Sequence, residues 1–233
     1  MKKNGDLKTR LLGGGLLLLP TLWALWKGGI FVVGLLWVCF ALMMVEWGVH
    51  AWAQLVRLKN RRNLPLMGGA FLYLCLAFFA IHHSILPLWG NAIFQPNATP
   101  ISLIYLIALV VCTDIGAYGI GRWMGGPLLA PKISPKKTWS GFWGGLFFGG
   151  LGGMLVILLA SKPLSTFLGL QTILLSLCSQ GGDLLESWGK RKLHIKDSSQ
   201  WIPGHGGFWD RFDGFLAAAI GWWIINGLLP ITP

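Results

Sequence analysis

Long runs without charged side chains limit what this chain of 233 residues can fold into. A helix that crosses the hydrocarbon core of a bilayer needs about 20 mostly apolar residues. Charged residues make up only 12% of the chain, about half of the roughly 25% found in soluble domains. The nearly uncharged runs cover residues 11–56 (with Lys27 and Glu46), 63–121 (with Asp114), 138–182 (with Lys162) and 214–233. Each run is long enough for at least one membrane-spanning helix.

The runs predict an all-α fold: a polytopic integral membrane protein with about seven transmembrane helices. The predicted helices cover residues 11–26, 29–49, 65–82, 100–121, 139–160, 164–188 and 208–230. We expect residues 1–99 to form an N-terminal domain of three helices. Residues 100–233 then form a four-helix transmembrane domain with the candidate catalytic residues and two cytosolic loops, at 122–137 and 189–211.

The basic residues predict how the chain is oriented. Its 19 Lys and Arg outnumber its 8 Asp and Glu, which gives a net charge of +11. Nucleic-acid-binding domains are also basic, but they are not this apolar, so we expect no nucleic-acid partner. All the basic residues except Lys27 and Lys162 lie before residue 11 or in alternate loops, at 57–62, 122–137 and 189–211. Because Lys and Arg collect in short cytosolic loops, the N-terminus is predicted to be cytosolic.

Asp114 lies inside the fourth predicted helix, and Tyr118 shares its helix face four residues later. A carboxylate within the membrane is costly and usually functional, although it can also pair with a neighbouring helix for assembly. The loop that follows carries ammonium and hydroxyl groups at Lys132, Ser134, Lys136, Lys137 and Thr138. This density suits a phosphate-rich ligand, although the lysines alone would also fit a loop that only sets topology.

A second polar stretch joins the sixth and seventh predicted helices. The polar residues on one face of the sixth helix are Asp183, Ser187, Lys190 and Arg191. Asp210 and Asp213 begin the seventh helix three residues apart, with Arg211 between them. Carboxylates that converge beside many cations suggest Mg²⁺ shared with substrate phosphates, although Asp at a helix start can also act only as a cap with local ion pairing.

A glycine-rich turn precedes the seventh helix. Gly204, Gly206 and Gly207 surround His205. Glycines let the backbone approach a ligand closely, so their N–H groups are candidates for phosphate binding. The glycine pairs of residues 144–153 are predicted instead to bring helices close together in lipid.

These stretches together resemble the phosphatidate cytidylyltransferases, also called CDP-diacylglycerol synthases. The family signature is Ser-x-x-Lys-Arg, a spacer, Lys-Asp, and then Pro-Gly-His-Gly-Gly-x-x-Asp-Arg-x-Asp. The matching residues are Ser187, Lys190, Arg191, Lys196, Asp197, Pro203 to Gly207, Asp210, Arg211 and Asp213. The family usually has Glu where this chain has Ser140, before Gly141. The chain is also short for the family, which predicts that N-terminal spans are missing.

The resemblance implies transfer of the cytidylyl group of CTP to phosphatidate, giving CDP-diacylglycerol and pyrophosphate in phospholipid biosynthesis. Asp183, Asp210 and Asp213 are the expected Mg²⁺ ligands. The other expected catalytic residues are the phosphate-clamping cations Lys190, Arg191, Lys196 and Arg211. The expected substrate-binding residues are Asp114, Tyr118, Ser134, Lys136, Lys137, Thr138, Ser187, Asp197, Gly204, His205, Gly206 and Gly207. Asp114 is also a candidate ligand for a second, monovalent cation.

CTP is cytosolic and phosphatidate is a lipid, so we expect the active site at the cytosolic face of a bacterial inner membrane. The glycine-rich helix faces make a homodimer plausible. Two other functions stay open at this point. A transporter of an anionic solute would also use basic loops and an intramembrane Asp, but its site would lie near the midplane. A CTP-dependent lipid kinase would release CDP instead of pyrophosphate.

Overall fold

A computed structural model describes residues 3–57, 61–85, 101–161, 163–195, 197–203 and 206–228, and most of them are helical. The seven long helices are α1 (Lys3–Lys27), α2 (Gly29–Trp52), α3 (Leu64–Ala80), α4 (Ile101–Met124), α5 (Trp139–Leu159), α6 (Thr166–Lys192) and α7 (Trp209–Leu228). Short helical turns follow at Ala53–Arg57, Arg61–Asn63 and Ile81–Ile85. Each predicted segment coincides with one long helix.

Four helical segments are long and apolar enough to cross a membrane, among the residues that the structure describes. They are Gly29–Leu55, Leu64–His83, Ile101–Met124 and Trp139–Leu159. The helical class and the membrane character are therefore confirmed. The count of seven spans and the cytosolic N-terminus stay predictions.

A small β-hairpin interrupts the helices without changing the all-α class. Strand β1 (Leu128–Ala130) pairs antiparallel with β2 (Ser134–Thr138), with Leu128 opposite Thr138. The hairpin begins within the region predicted as the loop 122–137 and ends one residue after it, at Thr138. Its strands were missed because two prolines and three lysines hide the alternation of apolar and polar residues that marks a strand.

The chain packs as two compact units. The first contains Met1–Cys75 and Lys192–Phe212, and the second contains Leu76–Pro87, Pro100–Arg191 and Asp213–Pro233, taken over their described residues. The predicted functional division into residues 1–99 and 100–233 stays a prediction.

Glycines let α4 and α5 pack closely within the second unit. A Cβ at Gly116 would lie 2.6 Å from the carbonyl oxygen of Gly144, and one at Gly144 would lie 2.9 Å from that of Gly116. Small residues give such close approaches between helices in lipid. The predicted packing role is confirmed for five glycines, Gly144, Gly145, Gly149, Gly152 and Gly153, whereas a Cβ at Gly150 would have no heavy atom within 4 Å.

Buried hydroxyl groups join α4 to α6 in the same unit. The Tyr105 hydroxyl lies 2.8 Å from Thr172 Oγ1, and Thr113 Oγ1 lies 2.9 Å from Ser176 Oγ. An unmet polar group is costly in an apolar interior, so these pairs favour one alignment of the two helices. That alignment fixes the end of α6, which carries the candidate site.

Candidate functional site

Three carboxylates converge where α6 and α7 pack together. Asp183 and Glu186 lie on one face of α6, Asp213 lies on α7, and one oxygen from each is within 4.8 Å of the others. Gly182 permits this approach, because a Cβ there would lie 2.7 Å from the carbonyl oxygen of Asp213. Asp213 Oδ1 also accepts a 2.7 Å hydrogen bond from the N–H of Gly214. The donor set is rich in hard oxygen atoms.

Two ammonium groups contact this carboxylate cluster, which is defined as Asp183, Glu186 and Asp213. Lys137 Nζ lies 2.6 Å from Asp183 Oδ2, and Lys190 Nζ lies 3.0 Å from Glu186 Oε2. Ser187 donates a 3.4 Å hydrogen bond to Asp183 Oδ1. Like charges this close repel strongly at a partly buried site, and the two lysines offset part of that repulsion. A divalent cation would offset more of it.

The hairpin holds several of the predicted phosphate-binding residues. Thr138 begins α5 as its N-cap, where its Oγ1 accepts a 3.1 Å hydrogen bond from the N–H of Gly141. Alternating positions place Ser134, Lys136 and Thr138 on one face of β2, opposite the face of Lys137. The result is that Lys137 contacts the carboxylate cluster while Lys136 is exposed.

Ser140, at the position where the resemblance expects Glu, has a local structural role. Its hydroxyl hydrogen-bonds to the carbonyl oxygen of Gly125 and lies 3.0 Å from Thr138 Oγ1. Nearby, Arg191 donates a 3.3 Å hydrogen bond from Nε to the carbonyl oxygen of Ile133. These bonds connect the hairpin to the ends of α4 and α6.

Asp114 and Tyr118 lie on an exposed face of α4. The Tyr118 hydroxyl accepts a 2.7 Å hydrogen bond from Arg122, one turn closer to the hairpin. Asp114 is not a member of the carboxylate cluster. Its predicted role as a ligand for a second cation stays a prediction.

The glycine-rich turn belongs to the first unit, where Asp210 organises it. The Asp210 carboxylate accepts hydrogen bonds from the N–H groups of Ser198, at 3.0 Å, and Gly207, at 2.9 Å. Gly206 has a φ of 85°, in the left-handed region that favours glycine. The Gly207 N–H, predicted to face a phosphate, thus donates to Asp210. The contacts of Asp210 are those of a residue that holds a loop, and its metal-binding role stays a prediction.

The remaining predicted residues fall into two groups. Asp197 and Arg211 are exposed in the first unit. Lys196, Gly204 and His205 lie outside the described residues. The structure therefore brings Asp183, Asp213, Lys137, Lys190 and Ser187 together. Asp210 instead accepts a hydrogen bond from Gly207 of the glycine-rich turn.

Sequence reasoning missed two acidic residues, Glu186 and Glu46. Glu186 is three residues after Asp183 and four before Lys190, a spacing that places all three on one helix face. Glu46 lies in an apolar helix, where the rule that singled out Asp114 applies equally. Both signals were present in the sequence.

Comparison with known proteins gives consistent matches. Residues 77–229 match the family described as the cytidylyltransferase family. A phosphatidate cytidylyltransferase of Brucella suis biovar 1 (strain 1330) is 39% identical over 205 residues, which cover 88% of this chain and 67% of the relative. One of Rickettsia bellii (strain RML369-C) is 32% identical over 240 residues, covering 97% of this chain and 94% of the relative. One of Mycobacterium bovis (strain ATCC BAA-935 / AF2122/97) is 35% identical over 156 residues, covering 66% of this chain and 50% of the relative.

Proposed function

Because the chain belongs to the cytidylyltransferase family, we propose that it transfers the cytidylyl group of CTP to phosphatidate. The products are CDP-diacylglycerol, a precursor of phospholipids, and pyrophosphate. The observation that carries this function is the match to relatives named phosphatidate cytidylyltransferase, one of which is covered over 94% of its length. The carboxylate cluster, with lysines beside it, supplies chemistry suited to a nucleoside triphosphate.

We propose that the protein spans the inner membrane of a bacterium seven times, with the N-terminus and the active site in the cytosol. The bacterial relatives, the four apolar helices and the concentration of basic residues in alternate loops support this arrangement. It gives a water-soluble nucleotide and a lipid access to one interface. A homodimer stays a prediction.

The carboxylate cluster fits a magnesium site. Mg²⁺ prefers oxygen ligands and is commonly held by one or two carboxylates together with waters and substrate phosphates. Asp183, Glu186 and Asp213 offer such oxygens within 4.8 Å of one another. Bound there, Mg²⁺ would neutralise the charge that develops on the triphosphate as it reacts.

The residues of the chain position the substrates and neutralise charge. The phosphate of phosphatidate is itself the nucleophile, and its oxygen forms a bond to the α-phosphorus of CTP while the bond to pyrophosphate breaks. No protein nucleophile is needed, because phosphoryl transfers depend mainly on alignment and on charge stabilisation. Lys190 and Arg191, at the end of α6, supply positive charge for the phosphates. The expected role of Arg211 as a phosphate-binding cation stays a prediction.

We expect Lys137→Gln to strengthen binding of a divalent cation. We also expect it to slow product formation, because Lys137 is one of the expected substrate-binding residues. The Lys137 ammonium contacts Asp183 at 2.6 Å, so it competes with a metal for that oxygen and repels it. Titration with Mn²⁺ in the absence of nucleotide should show affinity several-fold higher than in wild type. Lys136→Gln is the matched control for the metal titration alone, because the Lys136 side chain is exposed on the opposite face of β2. Weaker binding of Mn²⁺ by Lys137→Gln than by wild type would contradict the competition between Lys137 and the metal for Asp183.

Labelled CTP tests the function itself. With the label on the α-phosphate, the purified wild-type protein should transfer it to the lipid when phosphatidate is present. With the label on the γ-phosphate, the label should leave as pyrophosphate. A γ-label in the lipid, with CDP released, would indicate a lipid kinase instead. No chemical product in either experiment would contradict the proposed function.

A further inference from the structure

Glu46 is a buried carboxylate in the apolar helix α2, and it contacts the glycine-rich turn. Its side chain is 1% exposed. Glu46 Oε1 accepts a 2.9 Å hydrogen bond from the Ser198 hydroxyl, and Oε2 accepts a 2.9 Å hydrogen bond from the N–H of Trp209. A buried carboxylate is costly unless hydrogen bonds compensate for its lost hydration. These bonds therefore hold Ser198 and Trp209, which lie on either side of the glycine-rich turn, against α2.

Glu46 also caps the first turn of α7 from a different helix. The first N–H groups of a helix have no partner within the helix, and a negative charge near them is favourable. Trp209 is the first residue of α7, and its N–H donates to Glu46. The turn that follows carries Asp210 and Arg211, two of the predicted catalytic residues.

Ser198 makes three hydrogen bonds, through its hydroxyl, its carbonyl oxygen and its N–H. Its hydroxyl donates to Glu46, its carbonyl oxygen hydrogen-bonds to His50 Nε2, and its N–H donates to Asp210. Ser198 is 4% exposed. His50 lies one turn after Glu46, so α2 binds the Ser198 side chain and backbone together.

The close contact leaves room only for glycine at residue 207. A Cβ at Gly207 would overlap Glu46 Oε1 and Ser198 Oγ. The Gly207 N–H donates to Asp210, which also receives the N–H of Ser198. Glu46, Ser198, Gly207 and Asp210 thus form one interlocked group within the first unit.

We propose that Glu46 is a positioning residue for cytidylyl transfer, which holds the glycine-rich turn and the first turn of α7 in their reactive arrangement. It acts through Ser198 and Trp209 and needs no contact with substrate. The inference rests on the proposed function, because the reaction whose rate it controls is the one proposed there.

Three variants distinguish a positioning role of Glu46 from a role for its charge. Glu46→Ala removes both hydrogen bonds, and its kcat should fall about 100-fold, the cost of displacing a reactive group by about 1 Å. In Glu46→Gln, the amide oxygen can still accept from Trp209, and the amide NH₂ can donate to Ser198 Oγ. We expect this variant to keep its kcat within about tenfold of wild type. Gln54→Ala is the control. Gln54 is also a buried polar residue, but its side chain accepts a hydrogen bond from Asn63. The kcat of this variant should equal that of wild type.

Hydrogen exchange in detergent gives a second measurement, which does not depend on the reaction. The amides of Ser198 and Gly207 should exchange faster in Glu46→Ala than in wild type, while those of Gln54→Ala should match wild type. Ser198→Ala leaves α2 intact, so it gives the same test if Glu46→Ala does not fold, and the Gly207 amide should again exchange faster.

The possible results test the positioning role of Glu46 separately from the proposed cytidylyl transfer. Equal loss of kcat in Glu46→Gln and Glu46→Ala would overturn positioning and indicate a role for the charge itself. Unchanged exchange and unchanged kcat per folded molecule in Glu46→Ala would also overturn it. A wild-type protein that forms no CDP-diacylglycerol would refute the proposed function, while exchange would still report whether Glu46 holds the turn.

Discussion

Asp213→Asn will form CDP-diacylglycerol at least about 100 times more slowly than wild type, the loss expected when one preorganised charged group is removed from a reactive site. Asp213 is one of three carboxylates within 4.8 Å of one another, and it is the one that α7 contributes. The amide of Asn has nearly the same shape but no charge, so the fold is kept while the affinity for a cation falls. Initial rates at saturating CTP and phosphatidate measure the effect.

We expect the same loss of rate in Asp183→Asn and in Glu186→Gln, because both residues belong to the carboxylate cluster. Asp6→Asn is the matched control, since it removes a carboxylate with no predicted role and should leave the rate unchanged. All variants should elute as wild type does from size-exclusion chromatography in detergent. A rate in Asp213→Asn within a factor of three of wild type would contradict the assignment of this site.

Gly182→Ala will lose most of the activity through a single methyl group. The new Cβ would lie 2.7 Å from the carbonyl oxygen of Asp213 and would overlap the side chain of Ala217. Neither neighbour can move without displacing α7, so the two helices must separate where Asp183 and Asp213 meet. A displacement of about 1 Å in a reactive group can cost about 100-fold in rate.

Gly181→Ala is the adjacent control for this variant. A Cβ at Gly181 would have no heavy atom within 4 Å, and Ala favours a helix over Gly by about 1 kcal/mol. Its activity should equal wild type, and its thermal stability in detergent should be equal or higher. Wild-type activity in Gly182→Ala would show that the packing of α6 on α7 does not set the geometry of the carboxylate cluster.

The apolar runs predicted the helices well because membrane spans leave a long, local pattern. All seven predicted segments coincide with helices, and α4 and α5 begin within one residue of the predicted starts at 100 and 139. The hairpin was missed because it depends on pairing Leu128 with Thr138, and short strands rich in Lys and Pro carry no apolar alternation.

The candidate site was predictable where residues share a helix face and less so where they meet across the chain. Asp183 and Lys190 share a face of α6, and Asp213 was predicted from its place three residues after Asp210 at the start of the seventh helix. Glu186 was missed although its spacing was regular. The contacts of Glu46 could not be predicted from spacing, because Ser198 is 152 residues away in the sequence. Likewise, only the fold shows that Asp210 accepts hydrogen bonds from the glycine-rich turn.

Direct measurement of metal binding tests the central claim, that Asp183, Glu186 and Asp213 hold the divalent cation. Mn²⁺ takes the same oxygen ligands as Mg²⁺, and electron paramagnetic resonance reports the free ion during a titration without nucleotide. We expect wild type and Gly181→Ala to bind Mn²⁺ with equal affinity. Asp213→Asn should bind it at least about tenfold more weakly. Equal affinity in Asp213→Asn and wild type, or no binding by wild type, would contradict the claim.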